Sequence, residues 1–260
     1  MRLYPFSTGT IKCPNHGIKL NQFDDQLLKI PVPWYLLVHE KGNVIIDGGN
    51  PQIVALDPVE HWGDMIAGCV VEMTPQQACV PTLRSHGFRT EDVRHIVQTH
   101  LHADHVGAVA AIEEFRNAVV HVDPREHDYA RAPDWHLAAD YVKDDFTNPR
   151  IAWRWVDEFP YDLFGDGSVI LHSTPGHTVG HFSVEVTLPR SGSVLLTGDA
   201  AYTQDHWEDK ALPGIVASTV DAVASVRQLR ALAKANDSRV IFGHDITQWE
   251  TLPREGAFFA

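Results

Sequence analysis

Short apolar or alternating runs at residues 34–39, 44–47, 95–98, 118–122, 169–172, 182–188, 194–197 and 239–242 predict β-strands, because side chains two apart share one face of an extended chain. Between some of them the period lengthens to that of a helix. Residues 75–86 end before Gly87, residues 106–115 carry Val106, Val109, Ile112 and Phe115, and residues 219–235 repeat Val220, Val223, Val226, Leu229 and Leu232. Ser218, with Asp221 three positions on, gives the last helix a capping-box-like start, and Asn236-Asp237 gives it a stop. Residues 50–74, with Asp57-Pro58, His61-Trp62-Gly63-Asp64 and Gly68, have no clean period and read as a long structured loop, of the kind that often binds ligands. Strands in clusters with helices between them, without regular βαβ alternation, predict two sheets packed face to face and covered outside by helices.

A chain of 260 residues and 29.0 kDa with 44% apolar residues suits one hydrophobic core, so residues 1–260 are expected to form a single domain. The balance of 21 Lys+Arg against 34 Asp+Glu, a formal charge of -13, repels a phosphate backbone and disfavours nucleic-acid partners. Residues 1–10 lack the apolar run of a secretory signal, and no stretch reaches transmembrane length. Cys13, Cys69 and Cys79 are odd in number and lack C-x-x-C spacing, so they read as reduced thiols of a cytoplasmic protein.

Histidine, at 16 residues, changes the picture. The run His100-Leu101-His102-Ala103-Asp104-His105 follows a predicted strand. On an extended segment His100 and His102 share a face, and a turn after them can aim Asp104 and His105 at a neighbouring point. Three further strands end in a glycine followed by a ligand-type residue: Gly176-His177, Gly198-Asp199 and Gly243-His244. Glycine allows the close backbone approach that a crowded centre needs. The count gives two metal sites, His100, His102 and His177 for one ion and Asp104, His105 and His244 for the other, with Asp199 bridging. Nitrogen and oxygen donors suit Zn, Fe, Mn or Co; zinc is the working assignment. A water held between two such ions loses a proton near neutral pH and becomes a nucleophile. Neither Gly-x-Ser-x-Gly nor a Walker-type loop is present.

This pattern resembles the metallo-β-lactamase superfamily, and within it the N-acyl-homoserine lactonases. The resemblance includes Asn21-Gln22, Ile30-Pro31-Val32-Pro33, Ile46-Asp47-Gly48-Gly49-Asn50, His61-Trp62-Gly63, Pro133-Asp134-Trp135, and the run from Asp199-Ala200-Ala201-Tyr202 through His206-Trp207-Glu208 to Ala211-Leu212-Pro213-Gly214. It implies an α/β fold, the αβ/βα sandwich, and hydrolytic opening of a lactone ring by a metal-bound hydroxide, which is quorum quenching. It further implies catalytic roles for Tyr202, at the lactone carbonyl, and for Asp104, which passes a proton to the leaving alkoxide. Asp47 is expected to be structural. The partner is a small lactone, with no membrane or nucleic acid, and a homodimer fits the resemblance. Leu20, Phe23, Trp34, Trp135 and Trp207 are candidates for the wall of an acyl groove or, equally, for the core, and none is assigned to the site. The nearest alternative is a γ-butyrolactone or other small ester or thioester hydrolase; a glyoxalase II-like enzyme would need a longer helical segment than the residues after His244 supply. A non-enzymatic signal-binding metalloprotein fits less well, since structural metals prefer closed coordination.

Overall fold

The computed structural model describes residues 1–24, 26–66, 68–254 and 256–260, the side chains at 64 and 65 excepted. Strands β1 (Arg2–Pro14), β2 (Leu27–Val38), β3 (Asn43–Ile46), β4 (Val70–Glu72), β5 (Val93–Val97), β6 (Val119–Val122) and β7 (Trp153–Trp155) make one sheet in the order β4-β1-β2-β3-β5-β6-β7. Strands β8 (Tyr161–Asp162), β9 (Val169–Ser173), β10 (Phe182–Leu188), β11 (Gly192–Leu196) and β12 (Arg239–Ile241) make the other, in the order β12-β11-β10-β9-β8. Both are mixed: β3, β5, β6 and β7 run parallel, as do β11 and β12, and the other pairs are antiparallel.

Alternation along the strands explains the layers. Tyr35 and Leu37 of β2, with Val44 and Ile46 of β3, meet Leu171, Phe182, Val184 and Leu196 of the opposite sheet in a buried cluster. Their neighbours Trp34, Leu36 and Ile45 point the other way and pack under Leu83, Val106, Val109 and Phe115. The helix Thr219–Ala235 covers the outer face of the second sheet through Val226 and Leu229. Two face-to-face sheets between outer helices are the αβ/βα sandwich.

Several elements differ from the expectation. The largest omission is β1, paired with β2 over most of its length and with a register shift between Ser7 and Thr10. It is buried on both faces and interrupted by Pro5 and Gly9, so it shows no period-two signal. The helix Thr219–Ala235 has the expected bounds, and Ser218 Oγ accepts the Asp221 amide at 3.3 Å. Its buried stripe, however, is Ala222, Ser225, Val226, Leu229 and Ala233, and Val220 is 78% exposed. Small residues let it approach the ligand loops closely: a Cβ on Gly176 would lie 2.3 Å from the Ala222 amide nitrogen.

The expected helix at 75–86 is broken at the extended Ala78 into a 3-10 turn and the helix Cys79–Ser85, while that at 106–115 becomes Gly107–Ala110 and a 3-10 turn at Ile112–Glu114. Residues 50–74 are not one loop; they include the helix Pro58–Trp62, whose N-cap Asp57 accepts the Glu60 amide at 3.0 Å, and the edge strand β4. Of the motif quoted there, the Asp64 side chain lies outside the described residues. Among the described residues no helix is long and apolar enough to cross a membrane.

Candidate metal centre

Four segments deliver the site from strand ends. His100–His105 follows β5, His177 lies between β9 and β10, Asp199 follows β11, and His244 follows β12. All the histidines among them are at least 97% buried, as is Asp199 at 2% exposed, and Asp104 is 9% exposed. Gly243 is needed because a Cβ there would lie 2.6 Å from the Gly198 carbonyl oxygen and 2.9 Å from Asp199 Oδ1. The close approach expected of glycine is therefore present where two ligand loops cross.

The donor atoms fall into two groups around one carboxylate. Asp199 Oδ2 lies 3.2 Å from His177 Nε2 and 3.7 Å from His100 Nε2, and those two nitrogens are 3.2 Å apart. Asp199 Oδ1 lies 3.3 Å from His244 Nε2 and 3.4 Å from His105 Nε2. Asp104 reaches His105 and His244, each at 3.7 Å. Three groupings, His100-His102-His177, His100-His105-Asp199 and Asp104-His105-His244, hold their donor atoms within 4.8 Å of one another.

The other face of each ring shows why Nε2 points inward. His177 Nδ1–H donates to the Ile215 carbonyl and His244 Nδ1–H to the Pro31 carbonyl, both at 2.8 Å, and His105 Nδ1–H donates to Asp47 Oδ2 at 3.0 Å. His100 Nδ1 lies 3.0 Å from the Thr99 hydroxyl, which in turn donates to Asp47. Acceptors at Nδ1 fix the proton there and leave the Nε2 lone pair for the centre. Asp47, with φ 63°, also accepts the Thr99 amide at 2.8 Å; it holds the ligand loop, in line with the structural role expected of it.

Burial lowers His100 and His102 well below the ordinary imidazole value, so they stand neutral. Burial also opposes charge on His105, but the carboxylates of Asp199, Asp104 and Asp47 outweigh it and hold that ring well above its ordinary value. The buried atoms His102 Nε2, His105 Nε2 and Asp199 Oδ1 have no hydrogen-bond partner among the described residues. Orphaned donors of this kind, converging from several loops, are costly unless something binds them. A divalent cation fits them, since nitrogen and carboxylate oxygen are its ordinary donors.

Above the cluster lies a cavity of about 340 Å³. Its floor includes His102, Asp104, Asp199, Tyr202 and His244, and its walls include Ile11, Ile18, Ile30 and Trp62. None of the five groove candidates lines this cavity directly. Trp34 is fully buried in the core, Trp207 packs on Phe242, and Leu20 lines a separate depression. Phe23 and Trp135 are 80% and 88% exposed, beside His16 and His136 of the cavity rim.

Three polar residues near the site had no distinguishing signal in the sequence. His181 Nε2 accepts the Asp199 amide at 3.0 Å, and burial pushes that ring down to about 3, which keeps it an acceptor. Glu126, fully buried, accepts the amides of Leu101 and Gly180. Asp140 lines the cavity, and burial together with the Asp104 carboxylate pushes it up to about 7.

Residues 29–244 match the sequence profile of the metallo-beta-lactamase superfamily. The chain belongs to that superfamily. Within it, the chain groups with the N-acyl homoserine lactonases: it is 44% identical to the N-acyl homoserine lactonase AttM of Rhizobium radiobacter over 100% of this chain and 99% of that protein. It is also 30% identical to the N-acyl homoserine lactonase AiiA of Bacillus thuringiensis subsp. kurstaki over 95% of this chain and 94% of that one. Among solved structures, an N-acyl homoserine lactone hydrolase with N-hexanoyl-L-homoserine at its catalytic metal centre superposes with TM-score 0.88 and 27% identity, covering 99% of this chain and 98% of that one. The family and the donor cluster together make this a metal-binding hydrolase.

Proposed function

We propose that this chain opens the lactone ring of N-acyl-homoserine lactones, with two divalent ions in one site and residues 1–260 acting as one domain. The carrying observation is Asp199, whose two oxygens turn to two separate pairs of histidines beneath a cavity that Tyr202 also lines. His100, His102 and His177 would hold one ion, and Asp104, His105 and His244 the other, with Asp199 between them. Zinc is the ion we assign, Fe, Mn and Co being chemically compatible. When bound, such ions supply Lewis acidity that polarises an ester carbonyl and acidifies water.

The protein's own groups bind and move protons. The apolar walls at Ile11, Ile18, Ile30 and Trp62 suit an acyl tail, and the polar floor suits the ring. Tyr202 donates its phenolic hydrogen to the carbonyl oxygen as that oxygen gains charge, and Asp104 carries a proton to the ring oxygen as the acyl C–O bond breaks. Water is consumed and one hydroxy acid results. A net charge of -13 supports a neutral small-molecule substrate over nucleic acid, and the three free cysteines support a cytoplasmic setting.

The test is a panel of acyl-homoserine lactones, γ-butyrolactone, thioesters, phosphodiesters and β-lactams offered to the zinc-loaded protein, with products identified by mass spectrometry. A ring-opened hydroxy acid with its amide intact is expected. Release of free homoserine lactone would make the enzyme an acylase, and turnover of thioesters alone would move it to another branch of the superfamily.

A further inference from the structure

The cavity wall carries a pair of cysteines that lactone hydrolysis does not use. Strand β1 pairs with β4 in the register Thr10↔Glu72, Ile11↔Val71 and Lys12↔Val70. The ladder ends there, and continuing its register by one step places Cys13 opposite Cys69, the residue before β4. Both residues line the cavity, and both pack in the cluster that contains Trp62, Ala103 and Tyr202. The Cys69 amide is already bonded to the Ile66 carbonyl at 2.9 Å, so it makes no ladder bond to β1. Directly opposed residues on antiparallel strands lie about 4.5 to 5.5 Å apart at Cα, within the roughly 4.4–6.8 Å that a disulfide spans. Cys13 is buried, whereas Cys69 is partly exposed and open to a small reagent.

We propose that Cys13 and Cys69 form a dithiol modification site in the wall of the substrate cavity, which a hydroperoxide converts to a cross-strand disulfide. The Cys69 sulfur attacks the peroxide, breaking the O–O bond and releasing an alcohol or water, and becomes a sulfenic acid. The Cys13 sulfur then attacks Cys69, the S–O bond breaks and one molecule of water leaves. Two thiols are oxidised and one peroxide is reduced. The new bond ties β4, and with it the segment carrying Trp62, to β1, fixing one wall of the cavity. Cys79 takes no part, being 1% exposed and packed in a different cluster.

The experiment uses the zinc-loaded protein, because Zn2+ has no redox chemistry of its own. After removal of reductant it is treated with limiting tert-butyl hydroperoxide, alkylated and digested without reduction. Two of the three free thiols should be lost to alkylation, with one linkage joining the peptides of Cys13 and Cys69. Dithiothreitol should restore both, and the Cys69→Ser variant should give no linkage. Cys13 and Cys69 remaining fully alkylatable, oxidising to sulfinic acid without linking, or linking to Cys79 would each overturn the proposal. The cavity's role as substrate site rests on the lactone reading, but the linkage is read by mass alone, so either can fail without the other.

Discussion

The Leu101 amide donates to Glu126 Oε1 at 3.0 Å, while Oε2 of the same carboxylate takes the Gly180 amide at 3.2 Å. Leu101 stands between His100 and His102, and Gly180 lies three residues beyond His177, so one buried carboxylate joins the two loops that meet at one half of the centre. Glu126→Gln replaces an acceptor oxygen by an NH2 group, and one of the two amides then faces a donor. A partner outside the ligand set commonly matters by about 10–100-fold in metal affinity, and a loss of that order is expected. It is checked by competition with a chelator and by the visible spectrum of the Co2+-substituted protein, which reports ligand geometry. Wild-type affinity and an unchanged spectrum would show that Glu126 only fills space.

Metal removal is the second prediction. Prolonged chelation should abolish lactone opening, and adding back a divalent ion should restore it, with metal content measured alongside. His177 faces one oxygen of Asp199, so His177→Ala should deplete one ion more than the other. Asp199→Asn should deplete both, since each oxygen serves a different histidine pair. Two ions and normal turnover in Asp199→Asn would remove Asp199 from the bridge.

How much of this was legible in the sequence depended on how locally each feature is encoded. His100, His102, Asp104 and His105 lie within one segment, and the remaining ligand candidates each follow a glycine at a strand end, so the cluster could be assembled before any fold was known. His181 and Glu126 could not be read this way, because their roles are to amides brought near by tertiary folding. The cavity wall is not legible in the sequence for a related reason. Ile11 and Ile30 belong to β1 and β2, and β1 has no readable period, while composition alone does not tell a core tryptophan such as Trp34 from a groove wall. The stripe on the helix Thr219–Ala235 was shifted because counting large apolar residues overlooks Ala222 and Ala233, which are buried for their small size.

Acid stability is the third prediction. Glu185 of β10 is 5% exposed; burial alone would raise its carboxyl, but hydrogen bonds from His172, Ser193 and Asn236 overcome this and hold it down at about 2. A carboxyl held below its unfolded value stabilises the fold above that unfolded value, and the contribution is lost as pH falls through about 2. The shift corresponds to roughly 3 kcal/mol. Glu185→Gln should therefore be less stable than the wild type near neutral pH, and the gap in urea midpoints should narrow from pH 5 downwards. A gap that stays constant with pH would mean that the ionised form is not what stabilises.

The last prediction concerns Tyr202. Its hydroxyl lies 3.2 Å from His177 Nδ1, but that nitrogen already directs its proton to the Ile215 carbonyl at 2.8 Å. A protonated nitrogen cannot accept, so the phenolic hydrogen is not committed to His177. It is free to be given to a ligand in the cavity that Tyr202 lines. A donor aimed at a lactone carbonyl strengthens as the oxygen becomes negative, and so acts on the transition state more than on the bound substrate. One such donor is commonly worth about 3 kcal/mol, but metal ions sharing the same charge should reduce the loss in turnover to roughly tenfold. Tyr202→Phe keeps the ring against His177 and His244, at centroid separations of 5.4 and 5.3 Å, so folding and metal content should stay near wild type. The deciding comparison is kcat at equal metal occupancy on one lactone. A tenfold fall with little change in KM places the hydroxyl at the reacting carbonyl; an unchanged kcat would mean that Tyr202 serves only to pack the two histidines.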